Sequence, residues 1–68
     1  MLSIGTVKWF DPHKGYGFIE RSTGADVYVH FSAIQARGYR SLEAGQRVSY
    51  CLARGKRGLM ALNVTPII

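Results

Sequence analysis

Apolar residues in this chain return at every second position, and that spacing leaves few folds open. Successive side chains of a strand point to opposite faces, whereas a helix repeats every 3.6 residues, so a period of two calls for sheet with one face buried. Residues 4–10, 16–21, 27–31, 46–53 and 59–65 are rich in β-branched and aromatic side chains and read as five strands. Turn formers separate them at 11–15, 22–26 and 54–58. The longer stretch 32–45 has room for one helical turn after Ser32, but Gly38 and Gly45 interrupt it and it reads mostly as loop. Five short antiparallel strands leave open edges unless the sheet closes. The expectation is all-β: a five-stranded antiparallel barrel forming a single domain over residues 1–68.

The side chains of two strands decide what such a barrel presents to water. In the third strand Val27 and Val29 alternate with Tyr28 and His30, and in the second Ile19 alternates with Phe18 and Tyr16. If the valines and Ile19 fill the interior, Tyr16, Phe18, Tyr28 and His30 are forced outward on neighbouring strands. The opposite register would put Ile19, Val27 and Val29 in water together. Six of the eight aromatic residues lie between Trp9 and Phe31, so the outward face becomes a patch of rings. Trp9 and Phe10 are adjacent and share a face only across a bulge.

Exposed rings of this density mark an interaction surface. Nine Lys and Arg against four Asp and Glu give a net charge of +5, which favours a polyanionic partner. Rings stack on any nucleobase, and Lys8, Lys14 and Arg40 stand ready for phosphates. The rival use of the patch is docking of an acidic protein.

Other chemistries find little support. Cys51 is the only cysteine, which excludes an internal disulfide and zinc sites built on paired cysteines; His13 and His30 add too few ligands for a metal. His30 and Ser32 have no carboxylate at a spacing that would complete a nucleophilic triad. Gly55-Lys56-Arg57-Gly58 lacks the spacing of a phosphate-binding loop, and Gly15-Tyr16-Gly17 has no third glycine. The expectation is a binding protein, not an enzyme, with no cofactor, no metal and no small-molecule substrate. No run approaches the roughly 20 apolar residues of a membrane helix, and the N-terminal residues lack a signal-peptide pattern, so a cytoplasmic location is expected.

The residues resemble the bacterial cold-shock family from Gly5 to Val64. Gly5-Thr6-Val7-Lys8-Trp9-Phe10 is similar to its opening strand, Lys14-Gly15-Tyr16-Gly17-Phe18-Ile19 to its first ribonucleoprotein motif, and Val27-Tyr28-Val29-His30-Phe31 to its second. RNA-recognition motifs of another fold carry similar runs in the reverse order and need two helices that find no place here. The resemblance implies a barrel of the oligonucleotide-binding (OB) type with single-stranded RNA or DNA lying across strands one to three. It also implies a nucleic-acid chaperone that keeps RNA unpaired and influences transcription and translation. Carried over by position, the binding surface is Lys8, Trp9, Phe10, Lys14, Tyr16, Phe18, Tyr28, His30, Phe31 and Tyr39. Asp11 stands where Asn is usual in the family, and Tyr16, Tyr28 and Tyr39 where Phe is usual. Arg37, Arg54 and Arg57 fall at or near places where many bacterial members are acidic or neutral. Leu59-Met60-Ala61-Leu62 replaces a stretch that commonly holds Pro and Gln, so no site residue is assigned to the last strand. A monomer is expected, with the added apolar surface leaving room for a dimer or a strand exchange.

Overall fold

The structure is a computed structural model that describes residues 2–35, 41–56 and 58–67. All five expected strands form: β1 (Leu2–Asp11), β2 (Tyr16–Glu20), β3 (Val27–His30), β4 (Arg47–Gly55) and β5 (Gly58–Pro66). They close into a barrel in the order β1-β2-β3-β5-β4. Four seams are antiparallel, as expected, and the fifth is not: β3 and β5 run parallel, with Tyr28 opposite Met60. An isolated parallel bridge between Ile34 and Val64 continues that seam past the end of β3. Parallel pairing follows from the chain path, since β4 must return from the long connection before β5 can reach β3.

The interior belongs to aliphatic side chains. Ile19, Val27, Val29, Val48 and Val64 are fully buried, joined by Val7, Ile34, Leu42 and Ala61, and by one aromatic residue, Tyr50. Two bulges fit this core to the closed sheet. In β1, Val7 lies opposite Ile19 but Trp9 lies opposite Phe18, so Lys8 is an extra residue. In the β4–β5 seam, Ser49 pairs with Thr65 and Cys51 with Leu62, which leaves Asn63 and Val64 facing Tyr50 alone. Asn63 takes the left-handed backbone this needs, with φ of 52°, a conformation asparagine tolerates better than most residues. Each bulge lengthens the interval between inward residues from two to three: Val7 to Phe10, and Ala61 to Val64.

The connections are tighter than the turn residues suggest. Gly55 pairs with Gly58, so Arg54, Gly55 and Gly58 belong to strands. The third strand stops at His30, and Phe31–Ala33 form a 3-10 turn. After the long connection, Gly45 donates to the Val7 carbonyl at 2.7 Å and Val7 donates to that of Gln46 at 2.8 Å, stitching its end to β1.

Candidate nucleic-acid interface

Register sets the site. Trp9, Phe18 and Tyr28 stand in one row across β1, β2 and β3, and Tyr16 pairs with His30 in the next. Because Ile19, Val27 and Val29 are drawn inward, their neighbours on these strands have only the outer face. The rings touch one another: Trp9 lies 5.4 Å from Phe18 and 5.7 Å from Tyr16, Tyr28 lies 5.8 Å from Tyr16 and 5.9 Å from Phe18. All four contacts are tilted or edge-on, an arrangement aromatic quadrupoles favour, and the rings stand half-buried or exposed on the outer face. Together with Ala25, Asp26, Gly58 and Leu59 the rings line an open groove of about 670 Å³.

The β1 bulge separates the adjacent aromatics. It carries Trp9 onto the ring face at 39% exposure and turns Phe10 toward the core, over Gly17. Any side chain at position 17 would meet the Trp9 carbonyl at 2.2 Å and the Phe10 Cα at 2.7 Å, so only glycine admits this crossing. Phe10 is therefore a half-buried packing residue and stands apart from the array. Phe31 lies in the 3-10 turn instead of the strand, yet its ring is exposed and lies 4.6 Å from that of His30. Gly15, at a φ of +80°, makes room for it: a Cβ there would sit 3.0 Å from the Phe31 ring, and the Phe31 N–H donates to the Gly15 carbonyl at 2.9 Å.

His30 is held by the turn that follows it. Its Nδ1 accepts from the Ser32 backbone N–H at 3.2 Å and lies 2.8 Å from the Ser32 hydroxyl, capping the 3-10 turn.

Charge sits at the rim. Lys8, the extra residue of the bulge, is exposed and donates to Asp26 at 2.9 Å. That hydrogen bond, and then the carboxylate's charge, raise the Lys8 pKa above its ordinary value. Lys14 is exposed in the turn beyond β1. In the same turn Asp11 accepts from the backbone N–H groups of Lys14 at 3.2 Å and His13 at 2.9 Å. The Lys14 bond above all holds the Asp11 carboxyl below the usual carboxylate range. Its negative charge is thereby spent on the turn.

These rows of rings on a five-stranded barrel match a known pattern. Residues 3–67 fit the family model of the 'Cold-shock' DNA-binding domain. The chain belongs to this cold-shock family. It is 60% identical over 63 residues to cold shock protein CspC of Bacillus subtilis, covering 93% of this chain and 96% of the relative. It is 56% identical over 66 residues to cold shock protein CspB of Geobacillus stearothermophilus, covering 97% and 100%. The solved structure of drosophila Unr CSD456 superposes on the whole chain with a TM-score of 0.82 at 17% identity. This chain spans 27% of that one, and the likeness concerns the fold alone. Nucleic-acid binding is the function of the cold-shock family, and it sets the class to which this chain's activity belongs.

Of the ten positions that the resemblance assigned, Trp9, Tyr16, Phe18, Tyr28, His30 and Phe31 share the ring-bearing face of this cold-shock domain, Lys8 reaches Asp26 in the groove lining, and Lys14 is exposed in the turn after β1. Tyr39 lies outside the described residues. Sequence reasoning passes over Asp26, Gly58 and Leu59, which line the groove. Asp26 is within its reach, since it shares the alternation of Tyr28 and His30. Gly58 and Leu59 are not, because only the closure of β5 beside β3 brings them there.

Proposed function

We propose that this cold-shock domain binds single-stranded RNA or DNA by stacking bases on Trp9, Tyr16, Phe18, Tyr28, His30 and Phe31, with Lys8 and Lys14 taking phosphates, and acts as a nucleic-acid chaperone. One observation carries the reading: the row Trp9, Phe18, Tyr28 stands on the outer face of the barrel, Trp9 exposed and the other two half-buried, while aliphatic side chains fill the interior. Each base stacked on an aromatic ring contributes about 1 to 3 kcal/mol, whatever the base, because every base has a π-face. Bases in a duplex already stack on one another and cannot lie flat on a protein ring, so the array selects unpaired strands. Binding releases counterions from the phosphates and withdraws open strands from the pairing equilibrium, which depletes duplex by mass action. The cycle needs no nucleotide fuel, no metal and no covalent step. A monomer working as one domain in the cytoplasm, and influencing transcription or translation by keeping RNA open, is the setting this mechanism fits.

Titration of Trp9 fluorescence with single-stranded and duplex oligonucleotides of matched length and salt tests the reading. Single strands should quench Trp9 at far lower concentration than duplex. An equal response to both would sink it.

A further inference from the structure

The turn between β1 and β2 is organised by one residue. Pro12 brings no N–H to it, and each of the next three backbone donors goes to Asp11. One carboxylate oxygen accepts from His13 at 2.9 Å and from Lys14 at 3.2 Å, and the Asp11 carbonyl accepts from Gly15 at 2.8 Å. Asp and Asn suit this geometry, because a short side chain brings its oxygen back onto N–H groups a few residues on.

Gly15 passes that geometry to the binding surface. At a φ of +80° it directs its carbonyl to the Phe31 N–H at 2.9 Å, and the Phe31 ring packs where a Cβ would stand 3.0 Å from it. The register agrees, since Tyr16 pairs with Asp11 on one side and with His30 on the other. The β1–β2 turn and the start of the 3-10 turn therefore lie side by side. Phe18 is fixed by strand pairing between Trp9 and Tyr28. Phe31 has left the strand and its ring is exposed, so its placement depends on this neighbouring turn.

We infer that Asp11 is a positioning residue for the binding surface: by closing its turn it seats the Gly15 carbonyl and so holds Phe31 ready to stack on a base. This rests on the stacking reading above and adds to it a residue to which the family resemblance assigned no part in the surface. The oxygen matters here and the charge does not, since Asn, the usual residue of the family at this position, carries the same acceptor. A side chain ordered before binding spares the complex an ordering cost, which sets the expected effect at roughly 2- to 10-fold in affinity.

The test compares the oligothymidine affinities of Asp11→Ala and Asp11→Asn at one salt concentration, each alone, with Phe31→Ala and with Phe18→Ala, under circular dichroism control. Both substitutions remove the charge, so their ratio reports the acceptor. Asp11→Asn should bind roughly 2- to 10-fold more tightly than Asp11→Ala while Phe31 is present. That advantage should persist beside Phe18→Ala and vanish beside Phe31→Ala, a selectivity that general loosening of the barrel does not produce. Equal affinities with Phe31 in place would overturn the inference, as would an advantage that survives Phe31→Ala or disappears beside Phe18→Ala. In those outcomes Phe18→Ala still weakens binding, so the ring array stands. Affinities indifferent to Phe18→Ala and Phe31→Ala alike would remove the array and the role of Asp11 together. If Asp11→Ala does not fold, Asp11→Glu against the wild type decides, because it keeps the charge and carries the acceptor one methylene too far. A loss confined to chains with Phe31 supports the role; no loss, or the same loss without Phe31, overturns it.

Discussion

Tyr28 and Tyr50 are the same residue on two strands of one barrel, and the fold treats them in opposite ways. Tyr28 stands on the outer face of β3, half in water, with ring neighbours on two sides. Tyr50 points inward from β4, is fully buried, and its hydroxyl finds no hydrogen-bond partner among the described residues. Residue type does not sort them; strand phase does. Tyr28 lies between Val27 and Val29, which claim the interior, whereas Tyr50 shares its face with Val48. A ring face in water is thus a by-product of satisfying aliphatic neighbours, and this barrel turns it into a binding surface.

The contrast breaks most visibly at its aliphatic side. Ile19→Ala removes a fully buried side chain that sets the phase of β2, and should cost about 2 to 5 kcal/mol of folding stability. A chain of 68 residues has little margin to absorb that, so denaturant unfolding should show the variant largely unfolded or close to it. A midpoint like the wild type's would mean that Ile19 does not hold the interior.

On the outer side the reverse pattern is expected. Phe18→Ala should weaken single-strand binding by about 1 to 3 kcal/mol, measured by titration, while the unfolding midpoint moves far less than for Ile19→Ala. A variant that lost stability and kept affinity would place Phe18 among packing residues.

Tyr50→Phe sharpens the inner half. A buried hydroxyl without a partner keeps its desolvation penalty, so removing it at nearly constant shape should stabilise the barrel by on the order of 1 kcal/mol, read as a higher Tm. Burial also raises the Tyr50 pKa, since ionising inside the barrel is unfavourable. The folded state then holds a proton that the unfolded chain releases near pH 10. Stability from this source is complete below that pH and declines as pH rises through the folded value. The wild type should show the alkaline decline, and Tyr50→Phe should lack this part of it.

The same contrast explains what the sequence alone can convey. Strand faces in β2 and β3 are legible because Val27, Ile19 and their neighbours alternate without a break. β1 is half legible: adjacency of Trp9 and Phe10 calls for a bulge, but nothing local says that Lys8 is the extra residue and that Phe10 is the one turned inward. Aromatic character places Phe31 in the strand, and it leaves because His30 caps a 3-10 turn through Ser32. The parallel β3–β5 seam has no local signal at all, since it pairs residues more than 30 positions apart, such as Tyr28 and Met60. That seam brings Gly58 and Leu59 to the groove, which is why the sequence by itself assigns the last strand nothing at the site. Tyr50 is hard to place for a related reason: its neighbours Ser49 and Cys51 give no aliphatic contrast from which to judge its face.

The smallest effect concerns the rim of the ring face. Lys8 is exposed and can reach a phosphate only by parting from Asp26, which itself lines the groove. Exposed ion pairs are weak, so a strand can displace this one without much difficulty. What Asp26 withholds is therefore a fraction of one phosphate contact. Asp26→Asn frees the Lys8 amine and removes a negative charge from the groove, so the log–log dependence of affinity on salt should steepen by at most about 0.7, the increment for one phosphate neutralised on a single strand. Affinity should rise most at low salt and converge with the wild type as salt screens the phosphates. A slope unchanged within error would show that the pair opens fully in the complex, leaving Asp26 as a neighbour of the bases and no competitor for the backbone.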